Sequence, residues 1–185
     1  KRVDPYRKLP EYFEKPLFKH PPMYSFLLTL PKRFNFRTLK NANYFSFYLA
    51  LLVPLIAYLI AQQLYDTRVA FLSFVFLSIE PINWICSLRV WMECTMTLFM
   101  LLSVLFFILG RKNENNYFLC GIFLGCAMLT KYPGVLVLPA ILIFTALYKS
   151  ELFKVKKFHA IYVSAFAIFL PWIIWNVSVY GSFWS

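Results

Sequence analysis

From residue 43 onward the chain is a succession of long apolar runs separated by short, mostly basic loops. In the core of a bilayer no water is present to bond a bare N–H or C=O, so a crossing chain must satisfy its backbone internally. Helices do that within one segment, and an open sheet does not. Composition supports this reading. The 185 residues are 61% hydrophobic and only 15% charged, against about 45–50% and about 25% in soluble domains. The 21 Phe and 12 Tyr suit a bilayer and its interfaces. The expected fold is all-α: a polytopic membrane helical bundle with an N-terminal interfacial segment. The net charge of +11 does not imply nucleic acid. The cations concentrate near the N-terminus and in short loops between apolar runs, where anionic lipid headgroups are the nearer partner.

Two regions follow. Residues 1–42 are polar, basic and Pro-rich, and form an expected external loop. Within them Met23–Leu30 is apolar but too short to cross, so an interfacial helix is predicted. Residues 43–185 form an expected transmembrane domain of roughly six helices at about 20 residues per crossing. The predicted spans are 43–64 with Pro54 inside, 69–88 interrupted by Glu80-Pro81, 92–110, a run over 117–148 broken at Lys131-Tyr132-Pro133-Gly134, and 158–180 with Pro171 inside. If these alternate, Arg68, Arg111, Lys112, Lys149, Lys154, Lys156 and Lys157 share one side, and Arg89 and Lys131 the other. The positive-inside rule makes the first side cytoplasmic. The basic N-terminal segment then lies outside, against the rule but in reach of a lipid phosphate. The chain is expected to be a piece of a longer protein.

Ionisable groups at a membrane edge are expensive, which marks them as candidates for function. Three such features converge on the expected external face. Lys19-His20-Pro21-Pro22-Met23-Tyr24 holds His20 on an extended corner, because the prolines fix φ and disfavour helix before them. Arg89-Val90-Trp91-Met92-Glu93 is a short connection carrying a cation and a carboxylate. Lys131 sits at the break between two half-length helices. Each has a plainer reading, since carboxylates favour helix N-termini and cations reach for headgroups. Glu80 and Asp66 read as a helix cap and a turn. Cys86, Cys94, Cys120 and Cys126 show no paired spacing and no nearby His, and are expected to be buried inert thiols. From the residues alone, a transporter or flippase handling an anionic lipid remains an alternative to an enzyme.

His-Pro-Pro, Gly121-Ile122-Phe123-Leu124-Gly125-Cys126-Ala127-Met128-Leu129-Thr130-Lys131, Ser87–Glu93 leading into an apolar helix, and Pro171-Trp172 before Tyr180-Gly181 occur in one order. Together they resemble the multi-spanning glycosyltransferases that use polyprenyl-phosphate sugars, related to the protein O-mannosyltransferases and the lipid A aminoarabinose transferases. The resemblance implies an integral multi-pass protein of the plasma membrane or endoplasmic reticulum. It implies transfer of a sugar, with inversion, from a polyprenyl-phosphate donor to a glycan, lipid or protein acceptor on the non-cytoplasmic face. No cofactor is fixed by it, although it leaves room for a divalent ion. Glu93 and His20 would be the catalytic pair, with Arg89, Lys131, Lys19 and Tyr24 binding substrate. Family members carry an Asp where Glu93 stands. Their base is an Asp, often in an Asp-Glu pair, upstream of His-Pro-Pro. Here Asp4 is the only Asp in that region, so the base is expected upstream of Lys1.

Overall fold

The computed structural model describes residues 21–29, 39–89 and 91–181, with side chains from 42 in the second stretch. Lys19 and His20 lie outside the described residues. Eight α-helices occur among them, and no strand. Helix α1, Met23–Leu27, follows the two prolines, with Pro22 at its N-cap. Helix α2, Leu39–Leu64, contains Pro54. Helices α3, Thr67–Ser78, and α4, Pro81–Ser87, make a pair bent by 55°. Helix α5 is Glu93–Gly110 and α6 is Asn116–Thr130. A 3₁₀ turn over Tyr132–Leu136 leads into α7, Val137–Tyr148. Two further 3₁₀ turns, Ser150–Lys154 and Lys156–His159, precede α8, Ala160–Tyr180.

Local chemistry explains the boundaries. The Asp66 carboxylate accepts from the Val69 N–H at 2.9 Å and caps α3. Glu80 caps α4 by accepting from the Ile82 N–H at 3.0 Å and from the Asn83 N–H, while Pro81 fills the first helical position, where its missing N–H costs nothing. These are the plain roles expected of the two carboxylates. Gly181, at φ 72°, ends α8 in the left-handed conformation that glycine adopts freely.

Among the described residues, three helical stretches are long and apolar enough to cross a membrane: Ala42–Leu64, Glu93–Gly110 and Lys156–Tyr180. The bent α3–α4 pair makes a fourth if counted as one span. Asn116–Thr130 and Tyr132–Tyr148 are apolar but shorter. At 1.5 Å per residue α6 reaches only about 22 Å, short of a hydrocarbon core of about 30 Å. The expectation of roughly six crossings counted both of these as spans.

The core lies between α5, α6, α7 and α8. Tyr117, Cys120 and Leu124 share one face of α6 and pack with Phe107, Val137, Ile141, Phe158, Ile161 and Ala165. Gly121 and Gly125 let α8 approach closely. A Cβ at Gly121 would overlap the Ser164 hydroxyl and the Ile161 carbonyl, and one at Gly125 would lie 2.8 Å from the Ile168 side chain. The Ser164 hydroxyl also donates across the interface to the Phe118 carbonyl at 3.1 Å. This is the small-x-x-x-small contact that lipid-embedded helices use. All four cysteines are free, three of them buried.

Candidate active site at the helix rim

Lys131 ends α6 in an extended conformation, φ −159° and ψ 141°. Behind it the 3₁₀ turn lies flat against the last turn of α6, an approach that only a glycine at 134 permits. A Cβ there would come within 2.5 Å of the Ala127 carbonyl carbon. The Gly134 N–H donates to the Lys131 carbonyl at 2.9 Å, closing the turn. These constraints aim the Lys131 side chain away from its own helix and toward the first residue of α5.

There it meets Glu93. The Lys131 ammonium donates to the Glu93 carboxylate at 2.7 Å, between side chains 30% and 40% exposed. Two of the three expected features, 38 residues apart in the chain, therefore form one charged rim. Glu93 also suits the N-terminus of α5, where the helix dipole favours negative charge. The pair is half-buried, so water weakens it less than it would on an open surface.

Tyr24 reaches the same end of the molecule but is buried, with its hydroxyl hydrogen-bonded to the Ser46 hydroxyl at 2.7 Å. This bond ties α1 to α2. Burial pushes the Tyr24 phenol above its ordinary value, against the lowering effect of the Ser46 bond, while the Cys94 thiol and the Glu93 carboxylate add to the rise. The ring is thus a neutral hydrogen-bonding group within the field of Glu93. Pro21, next to His20, is fully buried. Arg89 is exposed, and its guanidinium lies 5.1 Å from the centroid of the Trp91 ring, a cation–π contact within its own connection.

Sequence reasoning missed an aromatic cleft of about 370 Å³ lined by Pro22, Leu129, Ile168, Pro171, Trp172 and Trp175. The two indoles stack at 5.0 Å and 19°. The Trp172 indole N–H donates to the Tyr132 hydroxyl, one residue from Lys131, at 3.4 Å. Trp172 and Trp175 are three apart, the spacing that places side chains together on a helix, and that spacing was the available signal. No three of His, Cys, Asp and Glu gather as a metal centre among the described residues. The rim therefore offers a cation, a carboxylate and a neighbouring aromatic wall.

The sequence profile of the family described as dolichyl-phosphate-mannose-protein mannosyltransferase matches residues 19–175. That stretch holds every element described above except the end of α8. Comparison with curated proteins and with solved structures returned no match.

Proposed function

The chain belongs to the dolichyl-phosphate-mannose-protein mannosyltransferase family, a family of membrane glycosyltransferases with lipid-linked donors, and from that premise we propose that its Lys131–Glu93 rim is where the sugar changes hands. In this reading the protein is multi-pass. It moves a mannose-like hexose or a pentose from a polyprenyl-phosphate donor to a glycan, lipid or protein hydroxyl on the non-cytoplasmic face.

Chemistry assigns the roles. As the bond from the sugar C1 to the phosphate oxygen breaks, negative charge gathers on the lipid phosphate and positive charge on the sugar ring. The Lys131 ammonium meets the phosphate, where fixed charge stabilises the transition state most. The Glu93 carboxylate accepts a hydrogen bond from the acceptor hydroxyl and holds it in line as its oxygen attacks C1 from the opposite face, while a carboxylate base takes the proton. The products are an inverted glycoside, a lipid phosphate and a protonated carboxyl that returns its proton to water. Before the donor arrives the two groups neutralise each other. An incoming phosphate competes with the Glu93 carboxylate for Lys131.

Around this pair, Tyr24 ties α1 to α2 through Ser46. His20 would orient donor or acceptor, and Arg89 and Lys19 would add positive potential for the phosphate. A divalent ion, if used, would find one carboxylate at the rim and take further ligands from phosphate and water, as Mg²⁺ does.

The observation that supports this reading is the 2.7 Å contact between Lys131 and Glu93. Its test is transfer of labelled sugar from a polyprenyl-phosphate donor by purified protein. Lys131→Ala is expected to lower transfer about 100-fold with membrane abundance unchanged. Equal loss of activity and abundance would assign Lys131 to the fold instead.

A further inference from the structure

We propose that a second cleft, between the start of α2 and the end of α4, is a saccharide subsite that holds the inner units of an oligosaccharide acceptor. The inference rests on the transferase reading above and narrows the acceptor to one of the classes that reading allows.

The cleft encloses about 500 Å³ and is lined by Asn43, Tyr44, Phe47, Tyr48, Ser87 and Leu88. Asn43 and Phe47 are four residues apart, as are Tyr44 and Tyr48, so an amide and three rings stand in two adjacent rows on one face of α2. The facing wall is held in place. The Phe47 and Trp84 ring centroids lie 6.0 Å apart. The Trp84 indole N–H donates to the Ser78 carbonyl at 2.6 Å, across the bend between α3 and α4, and the Ser87 hydroxyl donates to the Trp84 carbonyl at 2.8 Å. Tyr44 and Tyr48 are 60% and 64% exposed, which leaves both phenols open to a ligand.

A sugar ring has flat C–H faces and an edge of hydroxyls. Exposed aromatic rings suit the faces, and their phenol ends can donate or accept at the edge. The Asn43 amide adds two N–H donors and an acceptor oxygen, which together bridge neighbouring hydroxyls. Contact with lipid alone accounts for interfacial tyrosines, but not for an amide on the same face, which apolar surroundings penalise. Both walls are helices whose backbone groups bond internally, so the cleft has no strand edge to pair with an extended peptide.

The cleft lies beside the rim. On the inner side of α2, Ala50 packs with Cys86 and Cys94, the residues next to Ser87 in the cleft and to Glu93 on the rim. Only four residues separate Leu88 from Glu93, so their Cα atoms are at most about 18 Å apart. Packed helix axes set the closest approach at about 8–10 Å. A unit resting in the cleft is therefore not the one that is attacked at the rim. An oligosaccharide spans the two places, with inner units on Tyr44 and Tyr48 and its terminal hydroxyl at Glu93.

The test needs no knowledge of the sugar. Full-length protein, purified in detergent and fluorescently labelled, is passed over an array of immobilised monosaccharides and oligosaccharides. The wild type should be retained by at least one oligosaccharide series, and less by the matching monosaccharide. Tyr44→Ala and Tyr48→Ala, each at an exposed ring, should weaken that retention about tenfold, while Tyr44→Trp keeps it. Retention on no glycan, or retention untouched by both alanine substitutions, overturns the proposal. In transfer from a polyprenyl-phosphate donor, Tyr44→Ala should raise KM for the retained oligosaccharide about tenfold with the donor's KM unchanged. A fall in kcat alone would make the tyrosine structural and overturn the subsite. A rise in KM for a Ser/Thr peptide acceptor instead would assign the cleft to a peptide and overturn it too. A retained oligosaccharide that accepts no sugar from such a donor overturns the transferase reading, while the cleft stands as a glycan-binding site.

Discussion

Lys131 and Glu93 could be no more than a strut between two helix ends, and energetics separates that role from catalysis. A partly exposed ion pair contributes about 0–1 kcal/mol, too little for the fold to depend on it at side chains 30% and 40% exposed. The reversed pair, Lys131→Glu with Glu93→Lys, keeps the attraction and should therefore hold the thermal midpoint near that of the wild type. It should still lose transfer by about 100-fold or more, because orientation of the fixed charge decides its effect on the transition state. Recovery of transfer in the reversed pair would leave the strut as its whole role. Each of the two residues was legible in the sequence, since a charge at the edge of an apolar run is costly wherever it points. Their partnership was not, because it depends on the extended Lys131 backbone and on how closely the Gly134 turn lies on α6. The same limit applies to Tyr24 and Arg89. Residue type marked both as candidates, but only packing decides that one hydroxyl bonds Ser46 while one guanidinium covers Trp91.

At the scale of elements, α6 is the helix on which the rest is built, because its glycine face sets the distance to α8 and its last residue leads into Lys131. The two glycines should not be equivalent. A methyl at Gly121 would overlap the Ile161 carbonyl, which is backbone and cannot swing aside, whereas one at Gly125 would lie 2.8 Å from the Ile168 Cβ and 3.0 Å from the Ala165 carbonyl oxygen, a smaller overlap. Gly121→Ala is therefore expected to lose about 1–3 kcal/mol to overpacking, offset only in part by the 0.5–1 kcal/mol or so that alanine gains within a helix. Gly125→Ala should also destabilise, by less than Gly121→Ala. Thermal unfolding in detergent would rank them, and the reverse order would mean that α8 shifts as a body. Much of this architecture could be read from the chain. The Gly-x-x-x-Gly face, the break at Lys131–Gly134 and the interruption at Glu80-Pro81 follow from residue types with strong local preferences. The size of the 55° bend at that interruption is not encoded by periodicity, and of the aromatic cleft only the Trp172–Trp175 spacing was visible, because its other walls come from elements distant in sequence.

For the whole molecule, side-chain pairs between loops sort the helix ends into two groups. The Lys112 ammonium donates to the Gln63 side-chain carbonyl at 2.7 Å, and that of Lys157 to the Asn115 side-chain carbonyl at 3.1 Å. The Lys131–Glu93 pair joins helix ends at the opposite pole of α5 and α6. This is the grouping that alternate crossings require, and it gathers Arg68, Arg111, Lys112 and the four lysines from Lys149 to Lys157 at one end. By the positive-inside rule, seven cations against Arg89 and Lys131 would put the crowded end in the cytoplasm, and the proposed site would then lie on the far face with a lipid donor and its acceptor. Cysteine substitution at two exposed positions tests the arrangement, because the four native thiols are buried or half-buried and should react little. In sealed vesicles of known orientation, Lys154→Cys should react with a membrane-impermeant maleimide added on the cytoplasmic side only, and Arg89→Cys on the other side only. Reaction of both from one side would place the rim and the basic loops on the same leaflet. A site for a lipid phosphate would then face the cytoplasm, and the acceptor would have to be sought there.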